Sequence, residues 1–167
     1  IEHEGTYPLP EAQLDRFLFK VAVGYPDRDQ ERAMVRLHGH GGASGRGPHG
    51  AVEAVADLDG LRAARAAVAG LRLADEMVDY IVDLVRQTRE APALMTGASP
   101  RAANMLASAA RARAALRGRS FVIPDDVKAL AGPALAHRVV LAPGAELEGL
   151  TAEQAIARVV DRVPAPR

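Results

Sequence analysis

The chain has 167 residues and a mass of 17.6 kDa, 49% of it apolar, which is enough material for a core and excludes wholesale disorder. Lys plus Arg number 21 and Asp plus Glu number 21, and a net charge of zero argues against a protein whose main task is coating nucleic acid or anionic lipid. Cys is absent, which excludes disulfide frameworks, thiolate metal sites and Cys nucleophiles. No continuous apolar run reaches the roughly 18 residues that a membrane-spanning helix needs, so no membrane span is expected.

The N-terminal stretch, with Gly5, Pro8 and Pro10, reads as a loop entering a short helix over Glu11–Arg16. Phe17 to Val23 is rich in aromatic and β-branched residues and stops at Gly24, which predicts a strand. A lone strand is not stable. Its partners are therefore expected in sequence beyond this chain, which begins at Ile1 rather than Met. Asp27 followed by Gln30 has capping-box spacing and opens a helix to about Leu37. His38 to Gly50 is Gly-laden and reads as a flexible loop.

From Asp57 onward the pattern is helical. Leu58, Leu61, Ala64, Ala67 and Val68 form one stripe. A second helix spans about Ala74–Glu90, with Met77, Val78, Ile81, Leu84, Val85 and Thr88 on its buried face. Pro92 to Ala98 reads as a turn. Ser99 as cap and Pro100 in the first turn start a third helix, which Gly118 ends. Phe121 to Ile123 is extended, and Pro124 starts a fourth helix that Gly132-Pro133 is expected to interrupt. Thr151 to Gln154 is a capping box opening the last helix, through about Arg162. Ala occurs 34 times against three Phe and three Tyr, so the helices are expected to pack closely through small side chains.

Few residues point to chemistry. His38, His40 and His49 invite a metal reading, but a Gly-rich loop without Cys or nearby carboxylates does not hold ligands in fixed geometry, and no metal site is expected. Ser99 and Ser120 lie outside any nucleophile elbow, so no Ser–His–Asp triad is expected. Asp125 and Asp126 read as first-turn helix acids. Arg101 is different. It sits just after a helix start, where free backbone N–H groups attract anions, and the two together make a phosphate-binding corner. Arg16 sits at the junction of the short helix and the predicted strand. On the residues alone, a water-facing Arg101 and an ion-paired Arg16 remain open as alternatives.

Gly5-Thr-Tyr-Pro-Leu-Pro-Glu-Ala-Gln-Leu-Asp-Arg-Phe17, with Phe19-Lys-Val21 and Gly24-Tyr-Pro26, closely resembles the end of the ATPase core in MoxR-type AAA+ proteins. Gly97-Ala-Ser-Pro-Arg101, Pro124-Asp-Asp-Val127 and His137-Arg138 resemble that family's helical lid, in the same order. Ile123 stands where a capping Thr or Ser is usual, a loss of roughly 1 kcal/mol.

The fold implied is mainly α. A helical lid bundle is preceded by a short helix and one strand from an incomplete α/β P-loop ATPase core. Residues 1–26 would end the core and 27–167 would form the lid, with a Gly-rich loop over 39–50. The resemblance further implies a cytoplasmic ring ATPase, usually a hexamer. Such proteins remodel or mature other proteins in a chaperone-like way, often with von Willebrand factor A-type partners. ATP and Mg would be held mainly by residues upstream of this chain, whose 167 residues contain no P-loop and by themselves are not expected to hydrolyse ATP. By similarity, Arg16 matches the arginine finger that reaches a neighbouring subunit's ATP. Arg101 matches the second sensor, which contacts the ATP phosphates.

Two other readings compete. One is a non-enzymatic helical module for protein interaction. The other is a nucleic-acid-binding helical domain, suggested by Arg111, Arg113, Arg117 and Arg119. Zero net charge and scarce aromatics oppose it, and no nucleic acid partner is expected.

Overall fold

A computed structural model describes residues 9–39 and 53–166. The Gly-rich stretch with His40 and His49, and the Gly5–Pro8 part of the first motif, lie outside the described residues. The chain is mainly helical. In order it runs α1 (Glu11–Leu14), α2 (Arg28–His38), α3 (Leu58–Ala69), α4 (Asp75–Glu90), β1 (Leu94–Thr96), α5 (Pro100–Leu116), α6 (Pro124–Leu135), a 3₁₀ turn (Ala136–Arg138), β2 (Val140–Leu141), α7 (Pro143–Leu147) and α8 (Ala152–Arg162). It divides into two units, Val21–Ala63 and everything else.

The larger unit holds the core. Leu84, Ala102, Leu106, Ala110, Ala114, Val127, Ala131, Ala134 and Leu135 are fully buried where α4, α5, α6 and α8 meet. The alanines of α5 and α6 let the two backbones approach, so close packing supplies much of the stabilisation. On α4 the buried stripe is Met77, Tyr80, Ile81, Leu84, Val85 and Thr88. Val78, expected in that stripe, is 40% exposed, and Tyr80 takes its place. Residues 77, 80/81, 84 and 88 follow helical periodicity more closely, so Val78 falls at the edge of the stripe.

Two helix starts carry the capping boxes that the sequence spacing predicts. Asp27 and Gln30 exchange side-chain and backbone hydrogen bonds of 3.1 and 2.9 Å. Thr151 and Gln154 do the same at 3.0 and 3.2 Å. Gly118 follows α5 with φ of 70°, a conformation that a Cβ would strain.

Three expectations are corrected. Residues 17–23 form no strand. Among the described residues nothing pairs with them as a ladder, and strand-forming side chains alone do not hold an extended chain. Instead Phe19 packs partly against the core, and the Lys20 N–H donates to the Pro133 carbonyl at 3.0 Å. Gly132-Pro133 does not break the fourth helix, because α6 continues to Leu135 with Pro133 inside it. The buried Ala131, Ala134 and Leu135 keep that segment helical against the local preference. Finally, the turn expected at Pro92–Ala98 contains β1, which pairs antiparallel with β2.

Candidate functional site

The site begins with the loop ahead of α5. The Thr88 hydroxyl donates to the Val85 carbonyl at 2.6 Å and accepts from the Ala98 N–H at 2.9 Å. Arg89 Nε donates to the Ala98 carbonyl at 2.9 Å. A Cβ on Gly97 would lie 2.6 Å from the Arg89 Cα and N, so only glycine lets this loop lie against α4. These contacts fix where Ser99, Pro100 and Arg101 begin α5.

Ser99 holds the N-cap position, with extended backbone, but its side chain makes no cap hydrogen bond. Its hydroxyl instead faces both Asp15 carboxylate oxygens, at 2.9 and 3.1 Å. A charged acceptor outcompetes a backbone N–H for a single hydroxyl proton. Asp15 closes α1, and the next residue is Arg16. The Asp15–Ser99 bond therefore brings together the two segments that carry Arg16 and Arg101. Both arginine side chains are exposed. Neither makes an ion pair among the described residues. The acid beside Arg16 binds a different cation, Arg138, with Nε to Oδ1 at 3.2 Å.

Arg138 and His137 carried no assigned role in the sequence reading. The Arg138 side chain is fully buried. Its spacing of four from the buried Ala134 is the signal that places it on the inner side of the continued helix. Burial pushes its pKa down from the usual guanidinium range, Asp15 opposes that through charge and hydrogen bonding, and the nearby Arg101 adds to the lowering. His137 Nε2 lies 3.0 Å from the Phe17 carbonyl. Burial is the main cause lowering its pKa below 6.5, countered by the Phe17 carbonyl and reinforced by Arg138, so the ring is neutral at pH 7. A neutral ring hydrogen-bonded to a carbonyl through Nε2 donates that proton.

The late α5 arginines are largely engaged within the fold. Arg119 binds both Asp126 oxygens at 2.6 Å, Arg113 lies 3.5 Å from Asp126, and Arg111 donates to the Leu71 carbonyl at 3.2 Å. That leaves Arg117 exposed, while Arg113 and Arg119 share the Asp126 carboxylate. Among the described residues no cluster of His, Asp or Glu could hold a metal ion.

Residues 86–159 match the AAA lid domain family. The chain is 40% identical over 166 residues to an uncharacterized protein, YeaC, of Bacillus subtilis, covering 99% of the chain and 50% of that relative. It is 39% identical over 176 residues to chaperone MoxR1 of Mycobacterium tuberculosis, covering 100% of the chain and 45% of the relative. A crystal structure of a candidate ATPase from Cytophaga hutchinsonii matches with a TM-score of 0.87 at 32% identity, covering 100% of this chain and 52% of that one. The chain spans about half the length of the curated relatives it matches.

Proposed function

The chain carries the lid of a MoxR-type AAA+ ATPase, and from that premise we propose that it serves a longer, cytoplasmic, ring-forming ATP hydrolase, with Arg16 as a finger acting across subunits and Arg101 as a sensor of the ATP phosphates. In this reading residues 1–26 end the nucleotide-binding core and 27–167 form the lid. ATP and Mg bind mainly through residues outside this chain. The ring is a hexamer that acts on protein substrates, and a von Willebrand factor A-type partner assists it.

One observation carries the reading. Arg16 and Arg101 are both exposed, and the segments that carry them are tied by the Asp15–Ser99 hydrogen bond. An arginine finger must reach a phosphate on another subunit, so an exposed guanidinium on a held backbone is what that role requires. A sensor at the start of α5 changes its contacts with the nucleotide, and the shared hydrogen bond gives that change a route to Arg16.

Subunit mixing in the full-length protein tests this. One variant carries Arg16→Ala, and the other carries a disabled phosphate-binding loop. Arg16→Ala alone is expected to lose about 10³–10⁵-fold in turnover, and the loop variant is expected to be inactive. Mixed rings are expected to recover activity, because an intact Arg16 then faces an intact ATP site. Full activity of Arg16→Ala alone would refute the assignment. So would a lack of recovery in rings shown by size to have assembled.

A further inference from the structure

We propose that Arg138, with His137, is a positioning residue for Arg16, a role that rests on the finger reading above. A guanidinium has five N–H donors in a rigid planar fork. Arg138 directs most of them at the residues flanking Arg16, and its Nη2 also lies 2.7 Å from Met105 Sδ. Its Nε donates to the Asp15 carboxylate at 3.2 Å, and its Nη2 donates to the Asp15 carbonyl at 3.2 Å and to the Phe17 carbonyl. Its Nη1 donates to the Leu18 carbonyl at 3.3 Å and to the Ala134 carbonyl near the end of α6. The backbone is thus gripped on both sides of residue 16. His137 donates to the same Phe17 carbonyl at 3.0 Å.

Apart from this grip, residues 15–18 are held by the Asp15–Ser99 bond and by their own turn, where the Asp15 N–H donates to the Glu11 carbonyl at 2.9 Å. Their own turn supplies the Arg16 N–H to Gln13 and Phe17 N–H to Leu14 bonds, each 3.1 Å. The Arg16 side chain is exposed and loses several rotamers when it reaches a phosphate. A backbone already fixed removes part of that ordering cost and sets the approach angle. The Asp15 carboxylate shared with Ser99 extends the same grip to the start of α5, two residues ahead of Arg101. Movement of α5 relative to the 3₁₀ turn would therefore shift the mount of Arg16.

The test uses the full-length protein and three variants, Arg16→Ala, Arg138→Lys and His137→Ala, with ATP as the probe. Lysine keeps the charge and loses the fork. Arg138→Lys is expected to lower kcat about 10²-fold, with KM for ATP changed less than about twofold. Mixing with subunits whose phosphate-binding loop is disabled is expected to restore activity, as for Arg16→Ala, because the defect lies in what the subunit gives its neighbour. His137→Ala removes one carbonyl contact and is expected to lose roughly tenfold with the same mixing pattern. If thermal melting shows that Arg138→Lys has unfolded, His137→Ala decides. Parental kcat in a folded Arg138→Lys, or in His137→Ala where it decides, overturns the positioning role while loss in Arg16→Ala keeps the finger. Loss that mixing does not restore also overturns it, because the defect then lies in the subunit's own site. Full activity of Arg16→Ala refutes the finger reading itself.

Discussion

Asp126 is 1% exposed and faces two arginines, Arg119 and Arg113. Burial raises its pKa, but the Arg119 hydrogen bonds, the Ile123 N–H at 3.1 Å and the charges of Arg119 and Arg113 outweigh it, so the pKa lies below 3.8. A carboxyl with a lowered folded pKa contributes stability that is present above its unfolded value and lost as pH falls through the folded one. Asp126→Ala removes the partner of Arg119, which is a quarter exposed and turns to water, and is expected to cost about 1–3 kcal/mol in chemical denaturation near pH 7. The gap between parent and variant is expected to narrow only below pH 3.8. In the sequence Asp126 looks like any first-turn acid. Its partner Arg119 lies seven residues away, beyond the end of the preceding helix, so only the packing of α6 on α5 discloses the pair.

Helices were legible where a short-range rule fixes them. The ends of α2 and α8 depend on contacts three residues apart, which a sequence states directly. Thr151→Ala is expected to destabilise the fold by about 1 kcal/mol, read as a lowered denaturation midpoint with unchanged slope. At α5 the same rule was half right. Ser99 sits at the N-cap, but Asp15, distant in sequence, takes its hydroxyl. At α6 the local rule lost outright, because burial of Ala134 and Leu135 outweighs the preference of Gly132 and Pro133 to stop a helix. The strand expected at 17–23 failed for the complementary reason: its composition was right and its ladder partners are not among the described residues.

At the scale of the whole molecule the two units differ in burial. In Val21–Ala63 every described side chain is exposed, among them Val23 at 90% and Tyr25 at 96%. Among the described residues, the buried core lies in the larger unit. Amide exchange is expected to be fast through the described part of 21–63, α2 included, and slowest in α4, α5 and α6. Opening free energy follows buried apolar packing, and α2 has little to resist local unfolding. Equal protection of α2 and α5 would show that α2 is held by packing of its own. No helix among the described residues is long and apolar enough to cross a membrane.

The sequence by itself carries the helical class, several helix starts, and the ordered motifs that resemble the end of an AAA+ core and its lid, with Arg16 as the candidate residue of the first and Arg101 of the second. Those features rest on residue type and short spacing, and the chain states both. The tertiary structure decided what holds these residues. Asp15 meets Ser99 across 84 positions, and Arg138 reaches back across 123 positions to Asp15. Such pairs form only when the helices pack, because a hydrogen bond between distant residues carries no local pattern. A buried guanidinium and an exposed one have the same letter in the sequence, and only the fold distinguishes Arg138 from Arg16.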